Sequence, residues 1–295
     1  MKISKTGARM GTFGAVMLAA TGLAMAQTET AAPAKPPPPS PEELAWMKEL
    51  TLLAPGGHKE LKPVEIKYRL SWNNVLNAGE LDVAMKREPV ESVGICLVGT
   101  ADARSSGLAR ALWSYDAEAK ATVLPGTLEP KFFELAETER GKKFAYQLDF
   151  QPRAVSSRTT EFPKKASEDP KVSEKTYRYQ AVKDILSTVL YVRSFELTEG
   201  ETIKTLVSPF NRPYYVALEC QGREERKIKG EKHDAIRLGV GIRKVNGNKT
   251  LQDYDKMKAA TIWLSDDEFR LPLEVHADIF VGFISARMLE RAWLE

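Results

Sequence analysis

Three histidines are the first residues of this chain that could do chemistry, because imidazole binds metals and transfers protons near neutral pH. His58 follows two glycines, whereas His233 and His276 flank predicted strands. No two of them share the spacing of a metal-binding pair such as H-E-x-x-H. We therefore predict no metal site, and we interpret His58 as a loop residue.

One conspicuous pair of adjacent carboxylates, Asp266 and Asp267, could serve acid–base catalysis or bind a hard cation. Aspartate also favours turns, where it hydrogen-bonds its own backbone. Because the pair joins two predicted strands, we favour the turn. We also predict an ion pair between Asp267 and Arg193, since Arg193 falls on the apolar side of a predicted helix, where an unpaired charge is costly. The alternative is that Arg193 extends to solvent at the helix end.

Cys96 and Cys220 both lie in predicted strands. In an oxidising compartment they could form a disulfide, provided that their Cα atoms lie within about 7 Å of each other. The alternative, which we favour, is two buried free thiols, because cysteine is among the most buried residue types. The sequence leaves both open.

Patterns typical of catalytic or cofactor sites are missing from the sequence. It contains no G-x-S-x-G nucleophile elbow and no glycine-rich phosphate loop. We therefore predict no catalytic residue, no cofactor and a protein that is not an enzyme. An active site of unfamiliar pattern is the alternative.

Alternating apolar and polar residues predict that most of the chain forms β-strands. Residues 64–72 are the clearest example, and residues 235–245 are another, followed by the hairpin signal Asn246-Gly247. The strands follow one another without the regular βαβ alternation of a parallel sheet. We therefore predict a mainly β (α+β) fold built on a large, curved antiparallel sheet.

A few helices are predicted among the strands. Ser40 and Glu43 can form a capping box that starts an extra N-terminal helix, ended by Pro-Gly-Gly. Asp184 can cap a helix over residues 184–195, which we expect to cover the apolar face of the sheet. Residues 282–294 are also predicted to be helical.

Three groups of residues, in a fixed order, carry a resemblance to a known family. They are Tyr68-Arg69-Leu70-Ser71-Trp72 with Ala78-Gly79-Glu80, Asp184-Ile185-Leu186-Ser187 with Tyr191-Val192-Arg193, and Ile262-Trp263-Leu264-Ser265-Asp266-Asp267 with Arg270-Leu271-Pro272. Over roughly residues 61–289 the chain resembles the bacterial exported proteins of domain of unknown function 3108. The resemblance implies an antiparallel half-barrel wrapped around a helix, similar in kind to periplasmic carriers whose concave apolar faces hold acyl chains.

From this resemblance we expect a non-enzymatic protein that binds a hydrophobic ligand, such as an acyl chain or a lipidated partner, between sheet and helix. The predicted ligand-binding residues are apolar side chains on predicted strands: Tyr68, Leu70, Trp72, Val216, Leu218, Ile236, Leu238 and Trp263. The alternative is a structural or protein-interaction component of the cell envelope with a filled core.

The N-terminus predicts export. Residues 1–26 combine a basic start, a short apolar stretch and an A-x-A cleavage site, so we predict a signal peptide. No cysteine follows the site to carry a lipid. Residues 27–40, with four consecutive prolines, are predicted to be a linker, and residues 41–295 a single β-rich domain. We therefore expect a periplasmic or secreted protein that is not transmembrane after cleavage.

The basic balance of the chain belongs to that signal. The formal net charge is +3, and Lys2, Lys5 and Arg9 account for all of it. Residues 27–295 are formally neutral, so nothing in their charge favours a nucleic-acid partner.

Overall fold

The computed structural model of the protein describes residues 39–294, apart from 166, 255–256 and 280–281. The predicted signal peptide, residues 1–26, lies outside the described residues, as does the predicted linker up to residue 38. Strands make up most of what is described, so the predicted mainly β fold is confirmed.

The described part of the chain forms sixteen strands, two short α-helices and one 3₁₀ helix. The helices are the 3₁₀ helix Ala45–Lys48, α1 Gly107–Leu112 and α2 Ile185–Arg193. The strands are β1 Val64–Trp72, β2 Leu76–Val90, β3 Gly94–Ser105, β4 Tyr115–Val123, β5 Pro130–Glu139, β6 Lys142–Gln151, β7 Ala154–Phe162, β8 Lys171–Tyr177, β9 Val182–Lys183, β10 Thr202–Val207, β11 Tyr214–Ile228, β12 Glu231–Val245, β13 Leu251–Asp253, β14 Met257–Ser265, β15 Pro272–Ile279 and β16 Phe283–Trp293.

All the strands belong to one sheet. Its order is β8-β7-β6-β5-β4-β3-β2-β1-β16-β15-β14-β12-β11-β10-β9, with β13 beside β12. Neighbours run antiparallel, with β9 and β10 the parallel exception among the described strands. The large antiparallel sheet that the sequence predicts is therefore confirmed.

The sheet must curl strongly, because its two edge strands are consecutive in the chain. β8 ends at Tyr177 and β9 begins at Val182, so these ends lie within about 19 Å of each other at 3.8 Å per residue. In a flat sheet, fourteen steps of about 4.8 Å would place the edges roughly 67 Å apart. Rings from the two ends meet: the centroids of Tyr146 on β6 and Phe210 after β10 are 5.2 Å apart.

Two clusters of buried side chains fill the protein. The main core combines residues of β1, β2, β11, β12 and β14 to β16 with residues of α2. The second cluster, here called the seam core, joins Tyr115, Tyr146 and Leu148 from one half of the sheet to Leu206 and Tyr215 from the other. The seam core therefore holds the two ends of the curled sheet together.

Helix α2 begins where the sequence predicts. Asp184 and Ser187 form a capping box, in which Ser187 N–H donates to Asp184 Oδ1 at 2.9 Å and Asp184 N–H donates to Ser187 Oγ at 3.0 Å. Leu190 is buried in the main core. Gly99 of β3 marks a close approach of helix and sheet, since a Cβ there would lie 2.2 Å from Leu186 Cδ2.

Strand β16 occupies the residues predicted as a C-terminal helix, so that prediction is wrong. Ile284, Ala286 and Met288 belong to the main core and stand at every second position, which is the period of a strand. β16 pairs with β1 on one edge and with β15 on the other. This double pairing outweighs the helical propensity of the segment.

The predicted N-terminal helix is wrong beyond one short 3₁₀ turn. The predicted capping box does form: Ser40 N–H donates to Glu43 Oε2 at 2.7 Å, and Glu43 N–H donates to Ser40 Oγ at 3.3 Å. Trp46 is buried in the seam core. Thr51 already hydrogen-bonds to Lys204 of β10, donating its N–H and accepting at its Oγ1. The chain after the 3₁₀ turn therefore hydrogen-bonds to β10 and does not continue as a helix.

Candidate functional site

An apolar cavity of about 230 Å³ lies between α2 and the inner face of the sheet, and we call it the helix–sheet cavity. From α2 it is lined by Ile185, Leu186, Val189, Leu190 and Arg193. The remaining lining comes mainly from apolar residues of β1 to β5 and β14 to β16. Such a space, apolar with a few polar groups, is typical of small-molecule sites.

Small residues on two neighbouring strands create the space. Gly or Ala faces Ala at three successive inner-face positions of β3 and β4: Gly99 opposite Ala121, Ala101 opposite Ala119, and Ala103 opposite Ala117. The row through Ala101 and Ala119 is continued by larger side chains, Val83 on one side and Leu135 on the other. The small side chains of β3 and β4 therefore leave space between the centre of the sheet and α2.

The eight predicted ligand-binding residues do not surround this cavity together. Tyr68 borders it, and its hydroxyl donates to the Pro272 carbonyl at 2.9 Å. Trp72 lies half-buried at the end of β1 and packs against the main core. The others except Trp263 are buried within the main core without bordering the cavity: Leu70, Val216, Leu218, Ile236 and Leu238.

Trp263 faces the opposite side of the sheet, because its neighbour Ile262 faces the cavity. Its indole N–H donates to Glu224 Oε1 at 2.6 Å, and the guanidinium of Arg226 lies 4.1 Å from its ring centroid. Arg226 and Arg287 both donate to the carboxylate of Glu274, which is 1% exposed. We call this arrangement the outer-face ion cluster; it is separate from the cavity.

Arg193 is buried at the end of α2 and does not form the predicted ion pair with Asp267. Its Nε donates to the Phe269 carbonyl at 2.7 Å and its Nη2 to the Glu60 carbonyl at 2.9 Å. Asp267 Oδ1 instead accepts from Ser265 Oγ and from two backbone N–H groups of its own turn. The prediction placed Arg193 against the correct turn, but the carboxylate is engaged in shaping that turn.

Arg270 adds a second buried guanidinium beside the first. It donates to the carbonyls of Arg193 and Phe195, where the end of α2 leaves carbonyls without helical partners. Burial lowers the pKa of Arg193 to about 10, and the like charge of Arg270 contributes to this shift as the second largest cause. Arg193 therefore stays protonated at neutral pH and carries its charge into an apolar region.

The other residues singled out for chemistry have structural surroundings. Asp266 pairs with Arg223 at 2.9 Å, and Cys96 and Cys220 are both buried free thiols. Within residues 39–294, gaps excepted, no three His, Cys, Asp or Glu side chains gather as a metal ion would require. No helix in the described part of the chain is long and apolar enough to span a membrane.

Asp184, the buried cap of α2, should make stability depend on pH. Burial raises its pKa to about 6, so the folded protein holds this proton more tightly than the unfolded chain does. The stabilisation that the folded protein gains from holding the Asp184 proton is therefore complete below about pH 4. It is lost as the pH rises through 6, where the folded protein releases this proton. Relative to Asp184→Asn, the wild type should lose about 2 kcal/mol of unfolding free energy between pH 4 and 7, measured by urea denaturation. A difference that is constant with pH would contradict this assignment.

Comparison with known proteins bears on the fold. The chain is similar to a solved β-barrel-like protein of domain of unknown function DUF1849 from Brucella abortus, at 6% identity and a TM-score of 0.53, over 80% of this chain and 99% of that one. Looser matches are a protein of YmcC-like fold from Bacteroides fragilis (7% identity, TM-score 0.32, 81% of this chain and 100% of that one) and the lipoprotein LppX from Mycobacterium tuberculosis (13% identity, TM-score 0.20, 85% and 95%). These two overlap too loosely to carry an argument.

The family comparison covers most of the chain. No curated protein matches it. A family model described as "Protein of unknown function (DUF3108)" matches residues 67–289, which include β2 to β15 and the last two thirds of β1. The chain therefore belongs to the DUF3108 family, as its strand and helix motifs predict.

Proposed function

We propose that this protein is exported and binds a hydrophobic ligand, an acyl chain or the acyl chain of a lipidated partner, in the helix–sheet cavity. The observation that carries the proposal is the cavity itself, an apolar space of about 230 Å³ between α2 and the sheet. Engineered apolar cavities of about 150 Å³ already bind a molecule the size of benzene. The space therefore suits one short chain or the end of a longer one.

Burial of the ligand supplies the binding free energy. Each methylene group that leaves water for the cavity contributes about 0.8 kcal/mol. The floor of the cavity, Ala101 and Ala119, is half-buried although both residues lie on the inner face of the sheet. A chain lying on these alanines would contact the side chains of Leu186 and Val189 from above. The proposed site is a helix-covered groove of the curled sheet, and it includes Tyr68 of the originally predicted set.

The direct test is to purify the mature protein without detergent, extract it with organic solvent and search for lipid by mass spectrometry. Binding of a fluorescent fatty acid is measured in parallel. Absence of both lipid and probe binding would overturn the proposal and favour the alternative, a structural or protein-interaction component of the envelope.

Filling the cavity should abolish binding. Ala119→Phe places a ring on the cavity floor, where it occupies the space of the chain, so we expect binding of the fluorescent fatty acid to fall at least tenfold. Ala136→Phe is the matched control, because Ala136 lies exposed on the outer face of the adjacent strand β5. Equal binding by both variants would place the ligand elsewhere.

A further inference from the structure

Among the described residues that line the helix–sheet cavity, one is charged. Arg193 borders the cavity and is 1% exposed. The other polar groups there are the Tyr68 hydroxyl, which already donates to the Pro272 carbonyl, and Thr100. Within the described residues, Arg193 forms no ion pair with a carboxylate within 4.0 Å. Its hydrogen-bond acceptors are backbone carbonyls, and the carboxylates of Asp267 and Glu60 act on its charge only from a greater distance.

One nitrogen of the Arg193 guanidinium, Nη1, has no hydrogen-bond acceptor. Nε and Nη2 donate to the carbonyls of Phe269 and Glu60, whereas Nη1 is buried and has no hydrogen-bond partner. An arginine nitrogen can only donate, and a buried donor without an acceptor is costly. The two bonds that are made fix the side chain at the end of α2, and Arg193 is one of the residues that border the cavity.

We propose that Arg193 Nη1 receives the anionic head of a single-chain amphiphile, whose chain lies on Ala101 and Ala119. This inference rests on the proposed function and names its ligand class. Guanidinium groups form their strongest hydrogen bonds with carboxylate and phosphate oxygens. The volume of about 230 Å³ suits one chain rather than the two chains of a phospholipid. A fatty acid fits both the chain and the head.

The experiment compares three ligands with the same ten-carbon chain: decanoate, decyl phosphate and decanol. Their dissociation constants for the mature protein are measured by calorimetry, with wild type and Arg193→Met. Methionine keeps an unbranched apolar side chain in the same place but removes the charge. We expect decanoate to bind wild type about 10 to 100 times more tightly than decanol does, and this preference to disappear in Arg193→Met. Tighter binding of decyl phosphate than of decanoate would support the anionic head and identify a phosphate-bearing lipid as its source.

The possible failures are distinguishable. If wild type binds decanol as tightly as decanoate, and Ala119→Phe abolishes both, then the cavity binds chains but the role of Arg193 is overturned. If wild type binds none of the three ligands, both the proposed binding of a hydrophobic ligand and the proposed role of Arg193 are overturned. Should Arg193→Met fail to fold, carboxyl-labelled decanoate on wild type still decides by NMR: its bound pKa must lie below that of free decanoate, because a cation beside the carboxylate favours the charged form. A raised bound pKa would overturn the proposal.

Discussion

Phe210→Ala should lower the free energy of unfolding by about 3–5 kcal/mol, measured by urea denaturation of residues 27–295. Phe210 is 3% exposed, and its ring centroid lies 5.2 Å from that of Tyr146. Tyr146 stands on β6, near one end of the sheet order, and Phe210 follows β10, near the other. Removing this ring leaves a cavity where the two ends of the sheet meet, so the effect reaches beyond its own strand.

The matched control for this prediction is Phe132→Ala. Phe132 lies on β5 and is 40% exposed, so it contributes less buried area. We expect a loss below about 1 kcal/mol. If the two variants lost equal stability, the seam core would not be what keeps the sheet curled.

Much of the sheet follows from local pattern. In β1, Val64, Ile66 and Tyr68 are buried while Glu65 and Lys67 are exposed, as the period of two predicts. The start of α2 was also predictable, since an N-cap bond depends on residues only three apart. Patterns of this kind span only a few residues, and they predict the structure correctly wherever local preference and long-range pairing agree.

Long-range pairing decided the elements that were predicted wrongly. Residues 283–293 contain good helix formers, yet β1 and β15 bond to both edges of this segment. After Ser40 and Glu43 form their capping box, the chain turns to β10 instead of continuing as a helix. In each case a partner distant in sequence outweighs a local signal worth about 1 kcal/mol or less per residue.

The candidate site depends on register, which a single sequence does not reveal. The alternation of small residues at 99, 101 and 103, and again at 117, 119 and 121, is visible in the sequence. Only the pairing of β3 with β4 places the two sets opposite each other under α2. Arg193 could be singled out as a buried charge on a helix. Its hydrogen-bond partners are backbone carbonyls, which every residue has, so the sequence cannot indicate which of them Arg193 contacts.

The outer-face ion cluster gives the second large effect that we expect: Glu274→Gln should cost about 2–4 kcal/mol of unfolding free energy. Glu274 is 1% exposed and accepts from Arg226 and Arg287. Breaking a fully buried pair costs about 3–5 kcal/mol, and this estimate is lower because both guanidiniums remain partly exposed. A glutamine keeps the size of the side chain but leaves two positive charges without their counter-charge.

The same variant should loosen the hairpin formed by the ends of β11 and β12. The pairing of β12 with β14 stops at Ala235 and Ser265, so the residues beyond it have no strand beside β12 on that edge. Arg226 nevertheless reaches Glu274 on β15, which requires this hairpin to fold over the outer face of the sheet. We therefore expect faster amide exchange at Lys227 and Ile228 in Glu274→Gln. Glu290→Gln, on the exposed part of β16, is the matched control and should leave both measurements unchanged. Loss of stability without faster exchange would mean that Glu274 supports β15 and β16 but does not hold the hairpin.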